Sequence, residues 1–152
     1  MHEFYTSYYD RLQLLHREVS ENIAGLSAEA LDWRPIPVMN SLTILVVHLT
    51  GAERYWIGDV AGQEPSGRVR SEEFEARGWN TAALQERLDQ TLAHSYAVLQ
   101  GLTLDDLAAP RHSWRDDETY SVAWALAHAL EHTAVHVGHI HAGSELLRAE
   151  LA

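Results

Sequence analysis

Ten histidines occur in this 152-residue chain, and five of them fall between His128 and His141. On a helix turning about 100° per residue, His132 and His136 lie ~40° apart, with His128 and His139 beside them. Four imidazoles thus share a stripe about 80° wide, and His141 points the opposite way. A neutral imidazole offers a lone pair to a divalent metal ion, so the chemistry this stripe could perform is metal binding. Two rings one turn apart supply only one edge of a coordination polyhedron, and a third ligand must come from elsewhere. His48 is the candidate, because it lies beside the apolar stripe of an earlier helix, with Leu45, Ala52 and Trp56 on its core side. Histidines at i and i+4 are often no more than polar surface. Four on one stripe, free of lysine, with a fifth on a second helix, weigh toward a metal site. The remaining His2, His16, His94, His112 and His141 read as ordinary surface or partly buried residues.

Placing such ligands requires packed helices, and the apolar spacing supplies four. Phe4, Tyr8, Leu12, Leu15, Val19 and Ile23 recur at three- and four-residue steps and predict a first helix ending at Gly25. A short helical turn over Ser27–Leu31 follows and is stopped by Pro35 and Pro37. Asn40 or Ser41 caps a second helix to about Ala61, which Gly51 weakens. Asn80 or Thr81 opens a third to about Gln100. A fourth runs from about Ser121 to Arg148, its core side set by Val122, Leu126, Ala129, Thr133, Val137 and Ile140, so that the histidines flank the core. The Gly-rich, charged stretch 62–78 reads as a loop with a turn of helix at Ser71–Ala76, and no segment demands a strand. The expected fold is all-α: one domain spanning residues 1–152, an up-and-down four-helix bundle with a long crossover connection.

Composition narrows the partners. Twenty-two acidic against eleven basic residues give a net charge of −11, so nucleic acid is not expected. There is no cysteine, which removes thiolate ligands and leaves His, Asp and Glu. No apolar stretch reaches the length of a membrane span, and the expected location is cytoplasmic.

The Asn40-Ser41 start leading to His48-Leu49, with Glu53 and Trp56 behind it, and the run Glu131-His132-Thr133-Ala134-Val135-His136-Val137-Gly138-His139 together resemble the DinB-like superfamily of metal-binding four-helix bundles, the DUF664-type members in particular. The resemblance covers nearly the whole chain. It implies that His48, His132 and His136 are the three ligands of a nickel, zinc or iron ion, and that Gly138 and His139 match the segment that follows. Relatives in that superfamily include transferases and isomerases using low-molecular-weight thiols, and metal-dependent hydrolases.

Two functional readings follow. In the first, a three-histidine metal with an open position serves an enzyme acting on a small molecule, a thiol-dependent S-transferase or isomerase, or a hydrolase. Glu53, Glu131 and His139 are then candidates to accept an N–H from a ligating ring or to act as a general base; for Glu53 and Glu131 a surface charge or an interhelical hydrogen bond is preferred. Tyr55 could line the pocket or simply pack. In the second reading the bundle is a non-catalytic module whose metal is structural or absent, with Trp79 and Trp114 marking a partner or homodimer surface. A fourth protein ligand from Glu131 or Asp59 would favour the second.

Overall fold

Four of the helices begin where a small polar side chain can satisfy the free N–H groups of the opening turn. In the computed structural model, which describes residues 1–152, the side-chain oxygens of Ser27, Ser41, Asn80 and Ser121 accept from the backbone N–H of Ala30, Ile44, Ala83 and Trp124. The elements are α1 (Glu3–Ile23), α2 (Ala28–Asp32), α3 (Leu42–Glu53) continuing as a π-helical segment (Arg54–Ala61), α4 (Arg70–Glu73), α5 (Thr81–Gly101), a 3-10 turn (Leu104–Ala108), β1 (Pro110–Ser113), β2 (Glu118–Ser121) and α6 (Val122–Leu151). α1 packs on α5 and α6, and α3 packs on the same two helices. This closes the four long helices into an all-α bundle, with α2, α4 and the crossover from residue 62 to 80 along its flank.

Two apolar clusters fill the interior. One gathers Tyr5, Leu12, Trp56, Leu99 and Leu126; the other gathers Leu31, Leu49, Leu88 and Ile140, and Leu130 packs against both. The core side of α6 carries the residues expected of it, with Val122, Leu126, Ala129, Thr133, Val137 and Ile140 all buried. α3 differs from an ordinary amphipathic helix, because every residue from Leu42 to Glu53 is buried. No helix is long and apolar enough to cross a membrane.

Three local features depart from expectation. The second helix does not run on as regular α-helix to Ala61 but widens into a π segment from Arg54, where the Gly62 N–H reaches the Ile57 carbonyl five residues back. Its wider turn lets seven consecutive residues, Tyr55 to Ala61, be buried together. A short antiparallel hairpin also forms, pairing Pro110 with Ser121 and Ser113 with Glu118. Four-residue strands are too short to show an alternating pattern in the sequence. The hairpin is fixed instead by tertiary contacts: the Tyr55 hydroxyl lies 2.7 Å from Ser113 Oγ and accepts from the Arg115 N–H at 3.0 Å. Finally, Trp79 is not an exposed marker of a partner surface; it packs against the second cluster, whereas Trp114 is exposed.

Leu12 is fully enclosed between α1 and its neighbours, so truncation leaves a cavity that rigid helices cannot close. Leu12→Ala is expected to lower unfolding stability by about 2–5 kcal/mol in urea titrations. Val135→Ala, on the exposed side of α6, should stay within about 0.5 kcal/mol. Similar losses for both would contradict this core assignment.

Candidate metal centre

The complete burial of α3 has a chemical consequence, since each polar side chain it carries must find a partner inside the protein. His48, three positions before Gly51, is 5% exposed and donates or accepts through Nδ1 with Glu73 Oε2 at 2.8 Å. Glu73 is held in turn by Arg68, whose Nε and Nη2 donate to its two oxygens at 2.6 and 2.8 Å. Burial pushes the Glu73 carboxyl upward, but hydrogen bonds from Arg68 and His48 outweigh it and hold the group below the usual carboxylate range. Gly51 is what lets Glu73 approach, because a Cβ there would collide with that carboxylate. The glycine that weakens α3 as a helix therefore has a use. With Nδ1 engaged and the Phe74 ring 4.9 Å away, His48 is fixed in orientation with its Nε2 left uncommitted.

α6 brings the other two rings to the same place. The centroids of His48 and His132 are 5.0 Å apart, those of His48 and His136 4.9 Å, and those of His132 and His136 4.4 Å. One nitrogen from each ring lies within 4.8 Å of the other two. Metal–nitrogen bonds of ~2.1 Å require nitrogens roughly 3.4 Å apart, a contraction within reach of small ring rotations. The Nδ1 atoms of His132 and His136 are buried without a hydrogen-bond partner. Burial is the main cause lowering the His132 pKa to about 3 and that of His136 to about 4, with the neighbouring imidazoles adding to it. Both rings are thus neutral at pH 7, the form in which histidine coordinates. Three converging imidazoles, His132 and His136 among them held neutral by burial, fit a divalent ion and could hold one.

The other candidates fall outside this triad. His128 shares the α6 stripe but stacks on Trp124 (5.0 Å, 9°) and meets the edge of Trp56 at 4.7 Å; burial lowers its pKa as well. His139 is exposed beside His136, with ring centroids 5.3 Å apart, and Glu131 is exposed too. Glu53 is fully buried elsewhere, joined to His16 Nε2 at 2.7 Å and accepting from Ser95 Oγ at 2.7 Å, so it ties α3 to α1 and α5. His16, at 4% exposure, is accordingly more deeply enclosed than a surface residue. Asp59 accepts from Arg54 and Ser66 and does not join the histidines. Tyr55 is buried and forms one wall of a cavity of about 270 Å³ with Arg68, Arg115 and Trp114. The sequence reading did not identify Glu73, Arg68 or Phe74. Glu72, Glu73 and Glu75 are equivalent in the sequence, and only the folded crossover selects one of them.

A helical bundle with three histidines converging between α3 and α6 has the arrangement of a bundle that could hold a metal ion between facing helices. The sequence matches the family described as mycothiol-S-transferase over residues 9–151. The chain belongs to this family, a DinB-like one. No curated protein matches the sequence. Among solved structures it resembles one described as the conserved protein of locus from Enterococcus faecalis, at 13% identity and a TM-score of 0.81, covering 98% of this chain and 99% of the other. At that identity the likeness concerns the fold.

The lowered histidine pKa values have a pH consequence in the metal-free protein. A ring held below its ordinary 6.5 gives stability that is fully present above 6.5 and is lost as pH falls toward 4 and 3. Glu73 contributes with the same sign but only below its ordinary 4.5, which leaves the window from 6.5 to 4.5 to the imidazoles. The urea midpoint should fall between pH 7 and pH 5, and most of that fall should vanish in His132→Gln/His136→Gln. An unchanged slope in the double variant would refute the assignment.

Proposed function

We propose that this protein is a metal-dependent enzyme that transfers a low-molecular-weight thiol to a small electrophile, with His48, His132 and His136 as ligands of one divalent ion. The observation that carries this reading is that three imidazoles converge while no fourth protein group joins them. Asp59 is committed to Arg54 and Ser66, and Glu131 is exposed. A structural site would close its shell, whereas this arrangement leaves positions for a ligand from solution. Membership of the mycothiol-S-transferase family supports a thiol as that ligand.

A divalent ion held here would lower the pKa of a thiol in its open position and orient the sulfur for attack. Nickel, zinc and iron all suit three neutral imidazoles. The protein's own share is positional. Glu73 sets the tautomer and plane of His48, and Arg68 holds Glu73 in place. Trp56 and Trp124 keep His128 packed beside His132. In the reaction the thiol loses its proton to solvent and sulfur bonds to the electrophilic carbon. The leaving group then departs with its electron pair.

Protein purified without a histidine tag should carry about one equivalent of nickel, zinc or iron by elemental analysis. His48→Ala, His132→Ala and His136→Ala should each lose it, and His94→Ala and His141→Ala should keep it; equal loss in both groups would sink the three-ligand assignment. With a fluorogenic halogenated electrophile, conjugation should depend on added thiol and fall ~100-fold or more in His132→Ala. Turnover without thiol would indicate a hydrolase instead. Glu73→Gln should retain the fold but weaken metal affinity about 10- to 100-fold, since it removes the charge that orients His48. Unaltered affinity in that variant would make Glu73 a purely structural contact.

A further inference from the structure

The chain has no lysine, and five of its eleven arginines, Arg54, Arg68, Arg70, Arg87 and Arg115, line the two cavities beside α3. The larger cavity, about 540 Å³, is not the histidine site, for none of the three ligand candidates reaches its wall. It lies between α3 and α5 under the crossover. Thr50 and Gly51 form its floor from α3, Arg87 and His94 come from α5, and Arg68 and Trp79 from the crossover.

Most charges in this wall are already matched. Arg54 pairs with Asp59 at 2.8 Å, Arg68 with Glu73 at 2.6 Å, and His94 with Glu64 at 3.0 Å. Among the basic groups of the wall Arg87 alone makes no ion pair, with Glu73 acting on it only at longer range. Its Nε donates to Thr50 Oγ1 at 2.7 Å, its Nη2 donates to the Val47 carbonyl at 3.3 Å, and its guanidinium sits 5.8 Å from the Trp79 ring centre. These contacts fix the plane of the fork and leave Nη1 uncommitted. Burial pulls the Arg87 pKa down from its ordinary value, so the unpaired charge carries a real desolvation cost. Elsewhere in this interior buried charges are paired: Glu53 with His16, and Glu73 with Arg68. A fixed, half-buried, unpaired guanidinium facing a cavity is the arrangement that an oxyanion would complete.

Size selects among oxyanions. At about 30 Å³ per water the cavity has room for well over a dozen waters, far more than a lone inorganic ion displaces. Its volume falls in the ~300–1,000 Å³ range of small-molecule sites. Charge is compatible, because Arg54 and Arg68 are matched by Asp59 and Glu73, which leaves Arg87 as the unmatched basic group of the wall, while Glu72 is exposed. We propose that this cavity is a second binding site, for a small organic oxyanion bearing a carboxylate or phosphate group, with Arg87 as the residue that receives that group. The site is separate from the histidine triad and stands or falls independently of the thiol-transfer reading.

The test uses the full metal-free chain at low salt, titrated with succinate, with glucose 6-phosphate, and with glucose as a neutral control. Calorimetry should show saturable one-to-one binding of at least one anion and none of glucose, and the two anions separate a carboxylate from a phosphate ligand. Arg87→Met should weaken that binding about tenfold or more, and Arg17→Met, an exposed arginine on α1, should not. Backbone amide shifts of the unmodified chain should move at residues 47–54 and 87–94, which decides the matter even where Arg87→Met does not fold. No saturable binding of either anion, equal binding by Arg87→Met, or shifts centred on His132 and His136 would each overturn the proposal.

Discussion

A helix buried on all sides can carry polar groups only if other elements reach in to meet them, and α3 is such a helix. Three of its four polar side chains are answered by other parts of the chain, and only the buried Thr43 hydroxyl lacks a partner. Thr50 donates to the Val46 carbonyl and accepts from Arg87 of α5. Glu53 is met by His16 of α1 and Ser95 of α5. His48 is met by Glu73 at the end of α4. The long crossover is thereby part of the interior's hydrogen bonding, because removing it would strand His48 without Glu73. The candidate site depends on this, since His48 can face α6 with a defined tautomer only while Glu73 holds its other nitrogen.

On the α6 side the requirement is the opposite. His132 and His136 keep buried nitrogens without partners and rings too poorly solvated to hold a proton near neutral pH. Two buried imidazoles in this state are unfavourable for the protein alone, and a cation would give lone pairs of these rings and of His48 a common partner. Structural economy would have replaced these rings with apolar ones, as α6 does at Ala125, Ala129 and Val137 along its core side. Their retention at the boundary between core and solvent is where strain of this kind is useful to a binding site.

The sequence made the helices legible because their signals are local. Apolar spacing located α1, α5 and α6, and Ser27, Ser41, Asn80 and Ser121 act as the caps their types suggest. The convergence of His132 and His136 with His48 was legible too, since helical geometry fixes the first two and the apolar stripe aims the third. What stayed hidden depends on contacts distant in the chain. Glu73 is 25 residues from His48 and indistinguishable from its acidic neighbours until the crossover folds. The hairpin rests on Tyr55, nearly sixty positions before Ser113. The π segment has no periodic signature of its own.

Gly51 joins these two kinds of information. Read locally, a glycine in mid-helix is a defect costing about 1 kcal/mol relative to alanine. In the fold it is the opening through which the Glu73 carboxylate reaches His48, and any side chain there would push that carboxylate away. The same opening places Glu73 and Arg68 in the wall of the larger cavity, with the histidine centre on the far side of that carboxylate. One backbone position without a Cβ thus sets the geometry on both flanks of α3. That the helix tolerates the loss of intrinsic stability follows from its burial, because packing against α5, α6 and the crossover, rather than propensity, holds it together.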